Sequence, residues 1–131
     1  MLINSWGEPG NDSPGQFQLP HSLLIDPDGK VYVCDRANRR VQIFTAEGEF
    51  ISMWTGMGGP NDIARDSDGV FYLAEQAADG DGPVVTIRDG DGSVMARWDV
   101  RHAHGLWVDS AGDIYLGLTT NHSVDKWVRK S

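Results

Sequence analysis

The stretch Leu19–Phe44, LPHSLLIDPDGKVYVCDRANRRVQIF, reads as three short strands separated by turns. Ser22–Ile25 is apolar, while Val31–Cys34 and Arg40–Phe44 are built around β-branched and aromatic residues, which suit a pleated, half-buried surface. Between the first two lies Asp26-Pro27-Asp28-Gly29, where proline presets φ and glycine accepts a positive φ. Glu47-Gly48 turns the chain again into a fourth run, Phe50–Trp54. Four antiparallel strands of this length make one blade of a β-propeller.

The unit recurs. His21–Tyr32, HSLLIDPDGKVY, aligns with Asn61–Tyr72, NDIARDSDGVFY, and with His104–Tyr115, HGLWVDSAGDIY. The spacings of 40 and 43 residues fall in the roughly 40–50-residue window of propeller blades. Gly48…Trp54 likewise returns as Gly92…Trp98. The expected fold is therefore all-β: a single domain of three four-stranded blades over about residues 16–54, 58–98 and 101–131. Gly7–Gly15 is read as a connecting loop. In the second blade the loop Gln76–Pro83 is long and acidic, and Asp79 and Asp81 invite a calcium reading. Their spacing lacks the acidic twelfth position of an EF-hand loop. Asp89-Gly90-Asp91-Gly92 is read as a hairpin turn.

The third blade stops after its third strand, Val124–Val128. Val124–Ser131 fills the register of Val41–Gly48, and Met1–Trp6 then fills that of Glu49–Trp54. Closed propellers use about four to eight blades, so three leave bare apolar flanks and a bare strand edge. Two readings follow: a piece of a longer chain, or a homodimer. The expectation is the homodimer, half of a six-bladed β-propeller from each copy, with residues 1–6 exchanged as the fourth strand of the partner's third blade. Trp6, Trp54 and Trp98 share one repeat position, and each is expected to pack between neighbouring blades.

Composition narrows the partners. With 11 basic against 19 acidic residues the net charge is −8, which argues against nucleic acid, because phosphate contacts demand clustered Lys and Arg. The acids fall mostly in turns such as DPDG, DSDG and DGDG, and are expected to be solvated. Cys34, the single cysteine, forms no internal disulfide and is expected as a small buried hydrophobe in its strand. No apolar run approaches the length of a membrane span, so no membrane partner is expected. The N-terminal MLINSW lacks the basic region and long apolar core of a signal peptide, which makes a cytoplasmic location the expectation.

The residue just before the first strand of each blade is expected at one mouth of the central channel. Those residues are His21, Asn61 and His104. The repeat pattern as a whole resembles the NHL-repeat family of β-propellers. SWGEPGNDSPGQFQLPHSLLIDPDG and VCDRANRRVQIF resemble, within it, the lyase domain that completes peptide C-terminal amidation, peptidyl-hydroxyglycine amidating lyase. That resemblance implies zinc held by histidines at the Pro-His position of alternate blades. His21 matches within Pro20-His21-Ser22-Leu23, and His104 within Ala103-His104-Gly105-Leu106, where alanine replaces the proline. The family's third histidine falls on Asn61, and its catalytic tyrosine has no counterpart. The connector Leu118–His122 carries no tyrosine, and His122 is read as a surface turn residue. His102 stands where the family carries methionine and is taken with Asn61 as a ligand-binding candidate. Arg36 matches an arginine of the lyase's DREN-type motif, which implies a catalytic or ligand-clamping role; the alternative is a structural pair with Asp35 or a turn acid. The functional expectation is a propeller scaffold whose histidine-lined channel binds a small molecule or peptide, with zinc as the expected metal. The second expectation is a zinc-dependent lyase or hydrolase.

Overall fold

The computed structural model describes residues 1–76 and 81–130. Asp79 of the calcium reading and Ser131 at the end of the in-register join lie outside the described residues. A short parallel pair, β1 (Glu8–Pro9) with β2 (Gln16–Phe17), precedes three antiparallel meanders. The first sheet runs β3 (Pro20–Ile25), β4 (Val31–Asp35), β5 (Arg40–Phe44) and β6 (Phe50–Trp54). The second runs β7 (Pro60–Arg65), β8 (Phe71–Glu75), β9 (Val84–Arg88) and β10 (Val94–Asp99). The third holds β11 (Gly105–Val108), β12 (Ile114–Leu118) and β13 (Ser123–Trp127). The first strands lie together, with β7 packed between β3 and β11. This is an all-β chain whose antiparallel sheets, two of four strands and one of three among the described residues, are arranged as in a propeller.

Two expectations need adjustment. Gly7–Gly15 is not all loop, because Glu8–Pro9 pairs with Gln16–Phe17. The first aspartate of each turn is also more than a solvated charge. Asp26 Oδ1 accepts the N–H groups of Asp28 and Lys30, both at 2.9 Å, while Tyr32 donates its hydroxyl to Oδ2 at 3.2 Å. Asp66 does the same for Asp68, Val70 and Tyr72, as does Asp109 for Ala111, Asp113 and Tyr115. The recurring Asp…Gly…Tyr spacing therefore has a mechanism: the carboxylate closes the turn and ties it to the second strand. Burial, together with the adjacent carboxylate, pushes the Tyr32 and Tyr72 hydroxyls up to about 12.

The core lies between sheets. Tyr32, Val41, Trp54, Ile63, Phe71 and Leu73 fill the space between the first and second sheets; Ala64, Tyr72, Val85, Leu106 and Leu116 fill that between the second and third. Cys34 is fully buried among them, and burial drives its thiol pKa far up. Equivalent positions face the same way in every sheet. Ile63 (3 % exposed) and Leu106 (4 %) face the preceding sheet, whereas Leu23 at their position is 60 % exposed. Val41 and Val85 (both 0 %) face the following sheet, whereas Val124 is 69 % exposed. Among the described residues no sheet packs on the Leu23 side of the first sheet or on the Val124 side of the third. Residues 1–6 join no strand among the described residues. Among the described residues no helix is long and apolar enough to cross a membrane.

Candidate functional site: a histidine-lined mouth

β3 and β7 each open with a register shift, between Pro20 and Ser22 and between Pro60 and Asp62. The residue left over, His21 in one and Asn61 in the other, is released from the ladder and re-aimed, as bulges do. His21 Nδ1 lies 2.7 Å from the Asn61 carbonyl oxygen. A carbonyl only accepts, so Nδ1 carries the proton, and whenever the ring is neutral the lone pair sits on Nε2.

Asn61 turns the same trick on the next sheet. Its Nδ2 donates to the Ala103 carbonyl at 2.8 Å. At 1 % exposure it is a buried tie between sheets, and its Oδ1 lacks a partner. Beside it Ser22 donates to Asp62 at 2.5 Å, and the other oxygen of Asp62 accepts the Leu106 N–H at 2.8 Å. The first strands are thus stitched in series, from the first sheet to the second and on to the third.

His104 follows at the third equivalent position, its N–H held by the Gly117 carbonyl at 3.0 Å. Its ring lies 5.4 Å from that of His21, centroid to centroid, and 4.9 Å from that of His102, on which it stacks at 17°. His102 Nε2 is buried without a partner. Burial, then the neighbouring His102, His21 and Arg36, lowers the pKa of His104 below the usual 6.5, so its imidazole is neutral near pH 7. The fold brings together three of the expected site residues: His21, His102 and His104. Among the described residues no three His, Cys, Asp or Glu side chains converge closely enough to hold a metal ion. The described residues bring the imidazoles together without a complete metal-binding cluster.

Arg36 sits outside that trio. Its Nε and Nη2 both donate to Gln76 Oε1, at 3.0 and 2.7 Å, bridging the first and second sheets. The alternative pairing with Asp35 is not what forms. Asp35, fully buried, accepts instead from Arg40 Nε at 2.7 Å, Asn38 Nδ2 at 2.9 Å, Gln42 Nε2 at 3.1 Å and the Gln18 N–H at 2.8 Å. Arg36 and Gln76 line a cleft of about 450 Å³ with Leu19, Ala37, Arg39 and Gly59. Leu19 and Arg39 both hold left-handed backbone there, at φ 62° and 53°, a conformation costly for such side chains. His122, exposed in the β12–β13 turn, lines an open hollow of about 630 Å³ together with His104.

Two features escaped the sequence reading. The His102–His104 stack joins residues two apart, a pair that shares a face only in extended backbone. The buried Asp35 has a counterpart 40 residues on in Glu75, which binds Arg88 at 3.0 Å and Thr86 at 2.5 Å. That recurrence of an acid at the end of the second strand was the available signal.

The family model for the NHL repeat matches residues 17–44. Human NHL repeat-containing protein 3 is 34% identical over 80 residues, covering 58% of this chain and 23% of that protein. Peptidyl-glycine alpha-amidating monooxygenase A of Xenopus laevis is 48% identical over 144 residues, covering 97% of this chain and 15% of that protein. The chain thus spans less than a quarter of these curated relatives. Among solved β-propeller structures, a streptogramin B lyase superposes with a TM-score of 0.64 at 13% identity, over 86% of this chain and 41% of that one. Virginiamycin B lyase from Staphylococcus aureus gives 0.62 at 15% identity, over 86% and 42%. At such identities the solved structures speak to fold alone.

Proposed function

We propose that the chain is half of a six-bladed NHL-repeat propeller, completed by a second copy, whose histidine-lined mouth binds a small molecule or peptide. The observation that carries this reading is the fixed tautomer of His21. Its Nδ1 is held by the Asn61 carbonyl at 2.7 Å, which turns a lone pair at Nε2 toward a mouth shared with a neutral His104. Two imidazoles with available lone pairs suit a carbonyl-polarising donor once protonated, or a metal when neutral.

Zinc is the metal that such a donor set fits. His21 and His104 would hold it, two imidazoles from each copy, because the described residues of one chain supply too few converging ligands. Bound there, zinc would supply Lewis acidity toward a substrate oxygen or a water. Arg36 would clamp a ligand carboxylate by paired hydrogen bonds, exchanging Gln76 Oε1 for the ligand.

A second reading, a zinc-dependent lyase or hydrolase, is favoured by the similarity to the amidating monooxygenase along 97% of the chain. Against it stand Asn61 at a histidine position and the lack of a tyrosine in Leu118–His122. Metal content by mass spectrometry tests the zinc that the second reading requires. We expect zinc in the wild type and its loss in His21→Ala and His104→Ala. Wild type without metal, before and after added zinc, leaves a plain binding propeller.

A further inference from the structure

We infer that residues 1–6 form the outermost strand of the third sheet of a second copy, lying along its β13 edge beside Trp98. The inference rests on the half-propeller reading above and specifies its seam.

Trp6 supplies the first observation. At the junction of the first two sheets, the Trp54 indole at the end of β6 lies on Gly92, where an added Cβ would collide with the ring. Trp6 lies on Gly48 in the same way, and a Cβ there would come within 2.7 Å of it. Gly48 and Gly92 are the same turn position in consecutive sheets, both with positive φ. Asn4 adds a bond from Nδ2 to the Glu47 carbonyl at 2.8 Å. Toward the first sheet, then, Trp6 occupies the seat that Trp54 occupies toward the second. It sits as the last residue of a sheet that precedes the first. Leu2 and Ile3, 83% and 90% exposed, wait beside it without a strand to pair with.

The other half of the seam is the third sheet. Among the described residues it has three strands where the others have four, so β13 presents an open edge. A groove of about 700 Å³ runs beside it, lined by Trp98, Met95, Ile87, Ile114, Trp127 and Val128. Trp98 Nε1 is buried there without an acceptor among the described residues. Trp98 meets Trp127 at 6.0 Å as Trp6 meets Phe44 at 5.9 Å, the same pair of repeat positions.

The flanks complement each other. Leu23 and Ile25 are exposed where Ile63, Leu106 and Val108 are buried against a preceding sheet. Trp107 and Val124 are exposed where Ala64, Val41 and Val85 are buried against a following one. One open flank is therefore the partner surface of the other, in an interface the chain already makes twice. A second copy presents both, and two such seams related by a two-fold axis close a ring. The mouth needs this closure. His21 reaches the second sheet and Asn61 the third. The sheet that His104 would reach belongs to the second copy.

The register follows from the first sheet, where Gln42 lies opposite Met53 and Ile43 opposite Ser52. The equivalents are Asp125 opposite Ser5 and Lys126 opposite Asn4. Directly opposed residues on antiparallel strands lie within disulfide reach. The test is the full chain carrying Ser5→Cys with Asp125→Cys, and separately Asn4→Cys with Lys126→Cys. Each is oxidised and run on a non-reducing gel, with the single-cysteine variants as controls and sedimentation of the wild type alongside. We expect a wild-type dimer, and a covalent dimer from a double variant but not from the singles. A wild-type dimer with no crosslink from either pair overturns the strand exchange while leaving the half-propeller reading intact. A monodisperse monomer overturns both.

Discussion

The second sheet and the third share a repeat but not an environment. β8 is buried along its whole length, because sheets cover both of its faces. β12, its counterpart, alternates buried and half-buried, and β13 is mostly exposed. The ionic groups divide in the same way. Asp35–Arg40 and Glu75–Arg88 are buried pairs in the first two sheets, whereas Arg101–Asp125 and Lys126–Asp113 in the third are open to water. Burial here depends on the neighbours a sheet has, while strand formation depends on its own residues. A blade can be spelled correctly and still lack half its stabilising contacts.

The largest effects should therefore lie at buried charges. Asp35→Ala leaves the Arg40 guanidinium buried without its acid and should cost about 3–5 kcal/mol in denaturant melts. Asp125→Ala, at an exposed pair, should cost under about 1 kcal/mol. Equal costs would show that the third sheet is as enclosed as the first. Trp54→Ala belongs in the same upper range, about 3–5 kcal/mol, since its ring packs on Tyr32 at 5.6 Å and Phe71 at 5.1 Å.

How much of this was legible in the sequence differs by level. The strands were, nearly to the residue: Arg40–Phe44 and Phe50–Trp54 form as expected, and Val31–Cys34 gains only Asp35. Turn chemistry and β-branched runs are local, so local reading recovers them. The equivalence of His21, Asn61 and His104 was legible from the repeat as well. Their roles were not. Whether an imidazole bonds a carbonyl on the next sheet depends on a bulge and on packing, and neither leaves a local mark. The fate of Asp35 was hidden for the same reason, since its partners come from a loop, a 3₁₀ turn and the third strand.

Next in size is a pair of glycines. Gly92→Ala meets both a positive φ of 84° and the Trp54 indole, a ring locked between two sheets. Gly48→Ala meets a φ of 92° and the Trp6 indole, which a single chain holds only loosely. Left-handed backbone alone costs alanine about 1 kcal/mol. We expect about 2–4 kcal/mol at Gly92, where overpacking adds to that strain, and about 1–2 kcal/mol at Gly48. The sharper readout is assembly. Gly48→Ala should weaken the dimer in sedimentation, while Gly92→Ala, inside one chain, should act on folding. A dimer unmoved by Gly48→Ala would place Trp6 away from the seam.

The smallest effect is acid sensitivity at the turn aspartates. Burial alone would raise the pKa of Asp66. The Val70 N–H, the Tyr72 hydroxyl and the Asp68 N–H outweigh it, and the carboxyl titrates below its usual 3.8. Asp109 is lowered too, chiefly by the Asp113 N–H and then by the Tyr115 hydroxyl and the Ala111 N–H. A carboxylate whose pKa falls on folding contributes stability that is complete above its unfolded pKa. That contribution disappears as pH drops through the folded value. The window therefore opens near pH 4 and extends downward, with no effect at neutral pH. Asp66→Asn and Asp109→Asn should each flatten the fall in stability through this window, followed as urea midpoints at a series of acid pH values. Asp66 is enclosed between the second and third sheets, whereas the turn of Asp109 is open in a single chain, so for a single chain the change should be larger for Asp66→Asn. A greater flattening from Asp109→Asn would mean that the third sheet's turn is covered in solution, as a neighbouring copy packed against it would cover it.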